Sequence, residues 1–419
     1  MGKVLDPRHI AVDLLGDVLD ERRLLSEALP RRLAKVAPED RTRTQRLTLL
    51  ALRNMDRADR MLGPHLKKRP PARVLNILRL GVAEICTGGA AHGVVNSLVA
   101  ATRATRETER MAGLVNAVLR KVDGEKDKWD GLPTPRLPKW LRKPLIADYG
   151  KAQVEAIEAV QAMAPPLDLT AKGDPNSLAQ RLGGVLLPTG SVRLQDAGQV
   201  TGLDGYDTGE WWVQDASAAL PAKVLAPQAG ARVLDMCAAP GGKTMQLAAM
   251  GANVTALDVS ELRMKRVAEN LARTGLPARL VVGDALEFDE PQYDAILLDA
   301  PCTATGTIRR HPDLPHAKDG SDFPGLFELQ EYMIDRALGL LKPGGRLVFC
   351  TCSLLIDEGE EQVRDALGRH ANIQVDLDAL RLPGVDDDWI GPEGMRIMPH
   401  FNADLGGMDG FFITAFRKT

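Results

Sequence analysis

Residues 231–244 read Ala231-Arg232-Val233-Leu234-Asp235-Met236-Cys237-Ala238-Ala239-Pro240-Gly241-Gly242-Lys243-Thr244. An apolar run of strand length passes into a turn of small residues, and a helical stretch follows. In an open sheet of parallel strands such a turn lies at the carboxyl ends of the strands, where ligands bind. Two nucleotide motifs can be tested against it. A P-loop needs glycine five residues before the final Gly-Lys-Thr, and Cys237 holds that position. The Gly-x-Gly-x-x-Gly fingerprint of a pyrophosphate site is missing as well. What remains is a flexible turn that lets a cofactor approach the backbone without a diphosphate to neutralise.

Working outward, apolar runs alternate with helical stretches at Val233 to Met236, Val254 to Val259, Leu280 to Val282, Ala295 to Leu298 and Leu347 to Cys350. That alternation predicts a parallel sheet with crossover helices, a doubly wound, Rossmann-like α/β domain over residues 231–419. The closing run Gly410 to Phe416 predicts an antiparallel strand added to it. Residues 141–230 mix helical and strand-like pieces and predict a small α+β connecting domain. Residues 126–140 are rich in Lys, Asp, Pro and Trp and read as a linker. Residues 1–125 are helical throughout, with apolar residues at three and four spacing in Ile10, Leu14, Leu15 and Val18 and in Val74, Ile77, Leu78, Val82 and Ile85. Breaks are expected at Pro30, Pro38, Gly63-Pro64, Pro70-Pro71 and Gly88-Gly89.

A length of 419 residues suits two or three domains. With 44% apolar and 26% charged residues, neither a disordered chain nor a membrane protein fits. Met1 to Arg8 contain no apolar leader, and Asp6 stands where a lipidation site needs Ser or Thr. A soluble, cytoplasmic, monomeric protein is the expectation. Residues 1–130 carry 25 Lys and Arg against 17 Asp and Glu, which leaves 28 against 39 for the rest. A basic segment of that size suits a polyanion such as RNA, and equally suits solvated helix faces. Aromatic residues make up only 4%, so any grip on nucleic acid is expected to be electrostatic rather than stacked.

Asp258 ends the second apolar run of the α/β domain, where a carboxylate can accept the hydroxyls of a ribose. Asp284 follows the third, placed to take the exocyclic amine of an adenine. A small-residue turn over Cys237, Ala238, Ala239, Pro240, Gly241, Gly242 and Lys243, followed by these two acids, describes a site for S-adenosylmethionine. The fourth run ends in Leu298-Asp299-Ala300-Pro301-Cys302-Thr303-Ala304-Thr305-Gly306 and the fifth in Phe349-Cys350-Thr351-Cys352-Ser353. Both tips open on the edge that carries the cofactor turn, so Cys302 and Cys352 should face one pocket. Methylation at carbon 5 of a cytosine needs this equipment: a thiolate adds to carbon 6, carbon 5 becomes nucleophilic, and a base later removes its proton. Asp299 can hold the ring nitrogen and exocyclic amine as charge develops there, and Lys243 or a helix N-terminus could lower the thiol's pKa. The five cysteines, Cys86, Cys237, Cys302, Cys350 and Cys352, lack zinc-site spacing, so no metal is expected. Cys86 reads as core and Cys350 as a spectator packed deeper in its strand.

These motifs, with Arg309-Arg310-His311-Pro312-Asp313, Thr351-Cys352-Ser353 and the closing Asp409-Gly410-Phe411-Phe412, resemble the RNA 5-methylcytosine methyltransferases of the NOL1/NOP2/Sun family over residues 140–419. The resemblance implies that Cys352 attacks carbon 6 and that Cys302 assists product release. It also implies cofactor contacts from Cys237 to Lys243 and from Asp258, Asp284 and Asp299. Ile77 to Ile85, Gly93 to Val99 and Leu114 to Arg120 are similar to the helical RNA-binding domain of the NusB type, although Ser97 stands where that domain usually carries Glu. The two domains in one chain imply a cytosine of 16S ribosomal RNA as substrate.

Three other readings stay open from sequence. A DNA cytosine-5 methyltransferase would use Cys302, the cysteine after proline, as nucleophile; the substrate could be another RNA such as tRNA; or the chain could be a non-catalytic RNA-binding assembly factor. Arg309, Arg310 and His311 could clamp RNA phosphates or could be solvated loop charge.

Overall fold

Helices occupy the stretches between the proline and glycine breaks of the first 130 residues: Pro7–Leu19, Leu25–Leu33, Pro38–Arg53, Met55–Leu62, Ala72–Cys86, Ala91–Arg103 and Ala112–Gly124. The computed structural model describes residues 6–195, 197–290 and 292–419; residues 1–5, part of the segment read for a leader and a lipidation site, lie outside the described residues. Asp6 caps the first helix by accepting the Arg8 N–H at 2.9 Å, with Pro7 at the first helical position, where a missing N–H costs nothing. Pro30 differs from expectation: it sits inside the helix Leu25–Leu33 instead of ending it.

The residues at three and four spacing are buried together in one core, from Ile10 and Leu14 through Val82 and Ile85. Cys86 packs against that core, and burial pushes its thiol up to about 11. The segment read as a linker is held in place. Trp129 is part of the helical core, and the Leu137 N–H donates to Glu158 at 2.8 Å. Glu158 lies on the helix Lys151–Gln161 and also accepts from Arg142 of the helix Lys139–Tyr149 at 2.8 and 3.3 Å. The chain forms two compact units. One unit runs to Ala164 and includes Ile308–Ser321; the other comprises Pro165–Thr307 and Asp322–Thr419.

The second unit holds two sheets. β1 (Leu167–Ala171), β2 (Val185–Leu186), β3 (Val192–Leu194) and β4 (Trp211–Val213) form an antiparallel sheet in the order β2-β3-β1-β4. Arg193 of β3 pairs with Asp168 of β1 through two hydrogen bonds of 2.7 Å and donates to the carbonyls of Leu405 and Gly407 at 2.9 and 2.7 Å. Both side chains are fully buried, so removing either partner leaves an uncompensated charge at a cost of about 3–5 kcal/mol.

The large sheet contains β5 (Arg232–Met236), β6 (Asn253–Asp258), β7 (Arg279–Val282), β8 (Tyr293–Asp299), β9 (Leu341–Thr351), β10 (Ile373–Val375), β11 (Met395–Ile397) and β12 (Phe411–Lys418). Its order is β10-β12-β9-β8-β5-β6-β7, with β11 paired to β12. Strands β5 to β9 run parallel, and β12 lies antiparallel to β9, as the closing run predicts. The chain builds outward from β5 to β7, then crosses back to lay β8 on the other side of β5. The order thus reverses between β5 and β8, which is where an open α/β sheet forms its ligand crevice. Among the described residues no helix is long and apolar enough to cross a membrane.

His316 in the helical unit yields a pH prediction. Burial, with Arg79 adding to it, pushes its imidazole down to about 4, whereas the unfolded chain takes up that proton near the ordinary value of about 6.5. The folded unit binds the proton less well, so this contribution is present above about 6.5 and is lost as the pH falls towards 4. Denaturant melts of the full chain at a series of pH values should show stability declining through that window, and His316→Gln should flatten the decline.

Candidate active site

The turn after β5 is fixed by its own backbone and by the next strand. Cys237 takes a left-handed conformation (φ 61°), as does Gly241 (φ 102°), where a side chain would be strained. Ala238 donates to the Leu257 carbonyl at 3.0 Å. Asp258, at the end of β6, accepts from the Ala239 N–H at 3.1 Å and the Ser260 N–H at 2.9 Å. Each of its oxygens keeps a lone pair for a further donor. Asp284 is exposed beyond β7, with one oxygen accepting the Leu286 N–H at 2.9 Å. Val259 and Val282, the neighbours of these acids, are exposed although large and apolar. Small residues at the turn, carboxylates with acceptor capacity to spare and apolar side chains left bare at the sheet edge fit an adenosyl cofactor.

Asp299 ends β8 and receives two donors. Lys243 Nζ reaches one oxygen at 2.7 Å, and the Cys350 thiol lies 3.5 Å from the other. The register pairs Asp299 with Cys350 directly across β8 and β9, so Cys350, buried in its strand as expected from sequence, also touches the Asp299 carboxylate. Burial opposes the charge on Lys243, but Asp299 outweighs it, with Cys350 and Asp235 adding, and holds the ammonium protonated above its ordinary range. Lys243 also lies 5.6 Å over the Phe411 ring. Asp235 below it is fully buried, accepts the Thr244 hydroxyl at 2.5 Å, and is pushed by burial up to about 7. Burial, then Asp299, Asp258 and Asp235, raise the Cys237 thiol, which stays protonated.

Beyond Asp299 and Thr351 the two loops converge, and Cys302 Sγ lies 3.4 Å from Cys352 Sγ. The contact with Cys352, then burial, then Glu358 hold the Cys302 thiol well above its ordinary value.

Glu358, fully buried, organises the loop that carries Cys302. One of its oxygens accepts the Thr303 N–H at 2.9 Å and the Gln330 amide at 3.0 Å; the other accepts the Thr303 hydroxyl at 2.5 Å. Gln330 also donates to the Pro301 carbonyl at 2.8 Å, so both residues flanking Cys302 are gripped. The Ser353 hydroxyl, next to Cys352, lies 3.2 Å from those of Thr303 and Thr305. Backbone closes the arrangement: Gly306 donates to the Cys352 carbonyl at 2.9 Å, and Gly410 donates to the Gly306 carbonyl at 2.9 Å. A Cβ on Gly306 would sit 2.0 Å from the Gly410 carbonyl oxygen, so glycine is required there.

Every residue expected in the site lies at the carboxyl end of the large sheet: Cys237 to Lys243, Asp258 and Asp284 follow β5, β6 and β7, and Asp299, Cys302 and Cys352 end or follow β8 and β9. Arg309 corrects an expectation. It is 1% exposed and belongs to the helical unit, so it is no surface clamp for phosphates. Sequence reasoning missed Glu358 and Gln330. Glu358 stands in the acidic run Asp357-Glu358-Gly359-Glu360-Glu361, which looks like an ordinary solvated helix start.

The family model for 16S rRNA methyltransferase RsmB/F matches residues 222–417, and that of the NusB family matches residues 5–124. The chain is 34% identical to ribosomal RNA small subunit methyltransferase B of Vibrio cholerae, over 100% of this chain and 99% of the relative. Among solved structures, that of PH0851 has the same fold, with a TM-score of 0.75 at 22% identity over 99% of both chains. NSun6 from Pyrococcus horikoshii with SFG aligns at a TM-score of 0.59 and 20% identity, over 67% of this chain and 98% of that one. The full-length identity and both family matches show that the chain belongs to the RsmB/F family of S-adenosylmethionine-dependent ribosomal RNA methyltransferases.

Proposed function

We propose that the protein methylates carbon 5 of a cytosine in 16S ribosomal RNA through a covalent adduct at Cys352, and that it works as a cytoplasmic monomer. The observation that carries this reading is the 3.4 Å approach of two thiols beside a carboxylate that is itself held by Lys243 and Cys350. S-adenosylmethionine, when bound, supplies the electrophilic methyl group; the turn from Cys237 to Lys243, with Asp258, Asp284 and Asp299, would hold it. Cys352 adds to carbon 6 as the thiolate, accepting the Cys302 S–H. Asp299 holds the exocyclic amine, and the Lys243 ammonium beside it stabilises the negative charge that develops on the ring. After carbon 5 is methylated its proton must leave. Cys302, once its own proton has passed to solvent, takes that proton; the carbon 6–sulfur bond then breaks and returns Cys352 as thiolate. The base must stand outside any helical stack to reach a sheet edge, so a flipped or single-stranded cytosine is the substrate.

The first test is transfer of labelled methyl to unmodified 16S ribosomal RNA, followed by digestion to nucleosides. Labelled 5-methylcytidine is expected from the wild type and none from Cys352→Ala, whereas Cys302→Ala should accumulate a protein–RNA adduct. Label in another nucleoside, or adduct accumulation in Cys352→Ala instead, would contradict the assignment. A second test addresses the Cys302 loop. Glu358→Ala orphans the Thr303 N–H and the Gln330 amide, and a misplacement of ~1 Å costs about 100-fold in rate. Turnover should fall by that order with cofactor affinity unchanged, and Glu358→Gln, which keeps an acceptor, should recover part of it.

A further inference from the structure

The stretch Gly394-Met395-Arg396-Ile397-Met398 sets one arginine among apolar side chains. Successive side chains of a strand point to opposite faces of the sheet, and Met395 and Ile397 of β11 are buried in the same core. Arg396 therefore points to the other face. The register places Arg396 opposite Phe412 of β12, and Phe412 opposite Thr351 of β9; residues directly opposite one another share a face. The arginine thus stands in line with Thr351, the residue before Cys352. Its side chain is largely buried, and its guanidinium lies 4.9 Å over the Phe412 ring.

The donors of Arg396 reach the chain that follows Cys352. Ser353, Leu354 and Leu355 are buried in an irregular loop, where backbone carbonyls must find donors other than water. Arg396 Nη1 donates to the Ser353 carbonyl at 2.5 Å, and Nη2 donates to the Leu355 carbonyl at 3.3 Å. Glu360, at the start of the helix Glu360–Arg369, accepts from Nε at 3.1 Å with one oxygen and from Nη2 with the other. A ring below, a carboxylate and two carbonyls leave the planar fork a single orientation. Gly359 makes room for this packing, because a Cβ there would sit 2.7 Å from Phe412 Cγ. The N–H groups of the loop are met by hydroxyls: Leu354 donates to Thr305 at 2.9 Å and Leu355 to Ser353 at 3.0 Å. Thr305 ties the loop to the one that carries Cys302, and Arg396 ties it to β11.

We propose that Arg396 is a positioning residue for Cys352: by holding the Ser353 and Leu355 carbonyls, its guanidinium fixes the loop that carries the attacking sulfur and keeps that sulfur in place beside Cys302. The inference rests on Cys352 being the nucleophile of the reaction proposed above. Phe412 and Glu360 orient the fork, and the fork orients the loop. A residue that acts in this way governs the reacting step, not the binding of RNA or cofactor, so its loss lowers kcat and leaves KM in place.

Two variants of the full chain test this. Arg396→Met keeps most of the aliphatic stem and removes every donor, whereas Arg396→Lys keeps the charge and loses the fork. Amide hydrogen exchange read by mass spectrometry reports the loop directly: in Arg396→Met, peptides covering residues 352–358 should exchange at least tenfold faster, while those from β5 and β8 stay within twofold of wild type. With 16S ribosomal RNA, kcat should fall about 100-fold, as a misplacement of ~1 Å costs, with KM and S-adenosylmethionine affinity within twofold. Arg396→Lys should recover about tenfold of that loss. Unchanged exchange at 352–358, kcat within threefold of wild type, a loss carried by KM, or faster exchange spread over β5 and β8 would each overturn the inference. If Arg396→Met does not fold, Arg396→Lys decides by the same readings, with kcat about tenfold below wild type expected and an unchanged kcat overturning the assignment. Faster exchange confined to 352–358, in a protein whose wild type transfers no methyl to RNA, would keep the restraint and refute the proposed reaction.

Discussion

The buried carboxylate of Glu358 is the constraint on which the reacting geometry depends. A charge with no water around it must be met by donors, and the donors that meet it are the Thr303 N–H, the Thr303 hydroxyl and the Gln330 amide. Because Thr303 follows Cys302 directly and Gln330 also binds the Pro301 carbonyl, satisfying Glu358 fixes the backbone on both sides of Cys302. Cys352 follows β9, which is held by pairing with β8 and β12, and its carbonyl accepts the Gly306 N–H from the Cys302 loop. The short distance between the two sulfurs follows from these two restraints.

The sheet supplies the remainder of the site. Reversal of strand order between β5 and β8 brings the small-residue turn and Asp299 to the two sides of one crevice. The same register that sets Asp299 opposite Cys350 gives its carboxylate one sulfur donor, and Lys243 gives it a charged one. Position separates the thiols. Cys237 sits among three carboxylates and Cys350 is buried against one, which disfavours a thiolate at either; Cys302 and Cys352 lie on the loops beyond β8 and β9.

Much of this was legible in the sequence, for identifiable reasons. Strand-length apolar runs that alternate with helices admit few arrangements, and a Gly-rich turn, strand-end acids and two cysteines after adjacent strands carry their chemistry in local order. Three-and-four spacing located the core of the helical unit residue by residue. What escaped was set by contacts between residues distant in sequence. Glu358 and Gln330 carry no local mark of their partnership with Thr303. Arg309 looks solvated in the run Arg309-Arg310-His311, yet the chain carries it into the helical unit. Trp129 and Leu137 lie in a stretch with linker composition, but one buried carboxylate, Glu158, and a hydrophobic core claim them. Cys350 lies deeper in its strand than Cys352, as alternation implies, but only the register shows that Asp299 is opposite.

The most direct test of the account exploits a substrate from which carbon 5 cannot lose its proton. RNA carrying 5-fluorocytidine allows addition at carbon 6 and methylation at carbon 5, after which no base can remove the fluorine as a cation, so the adduct persists. Wild-type protein should be incubated with such RNA and S-adenosylmethionine, digested, and the modified peptide sequenced by mass spectrometry. The account predicts a methylated fluorocytidine on the peptide containing Cys352, with Cys302 unmodified. Attachment at Cys302, or recovery of methylated RNA with no adduct on either cysteine, would contradict it.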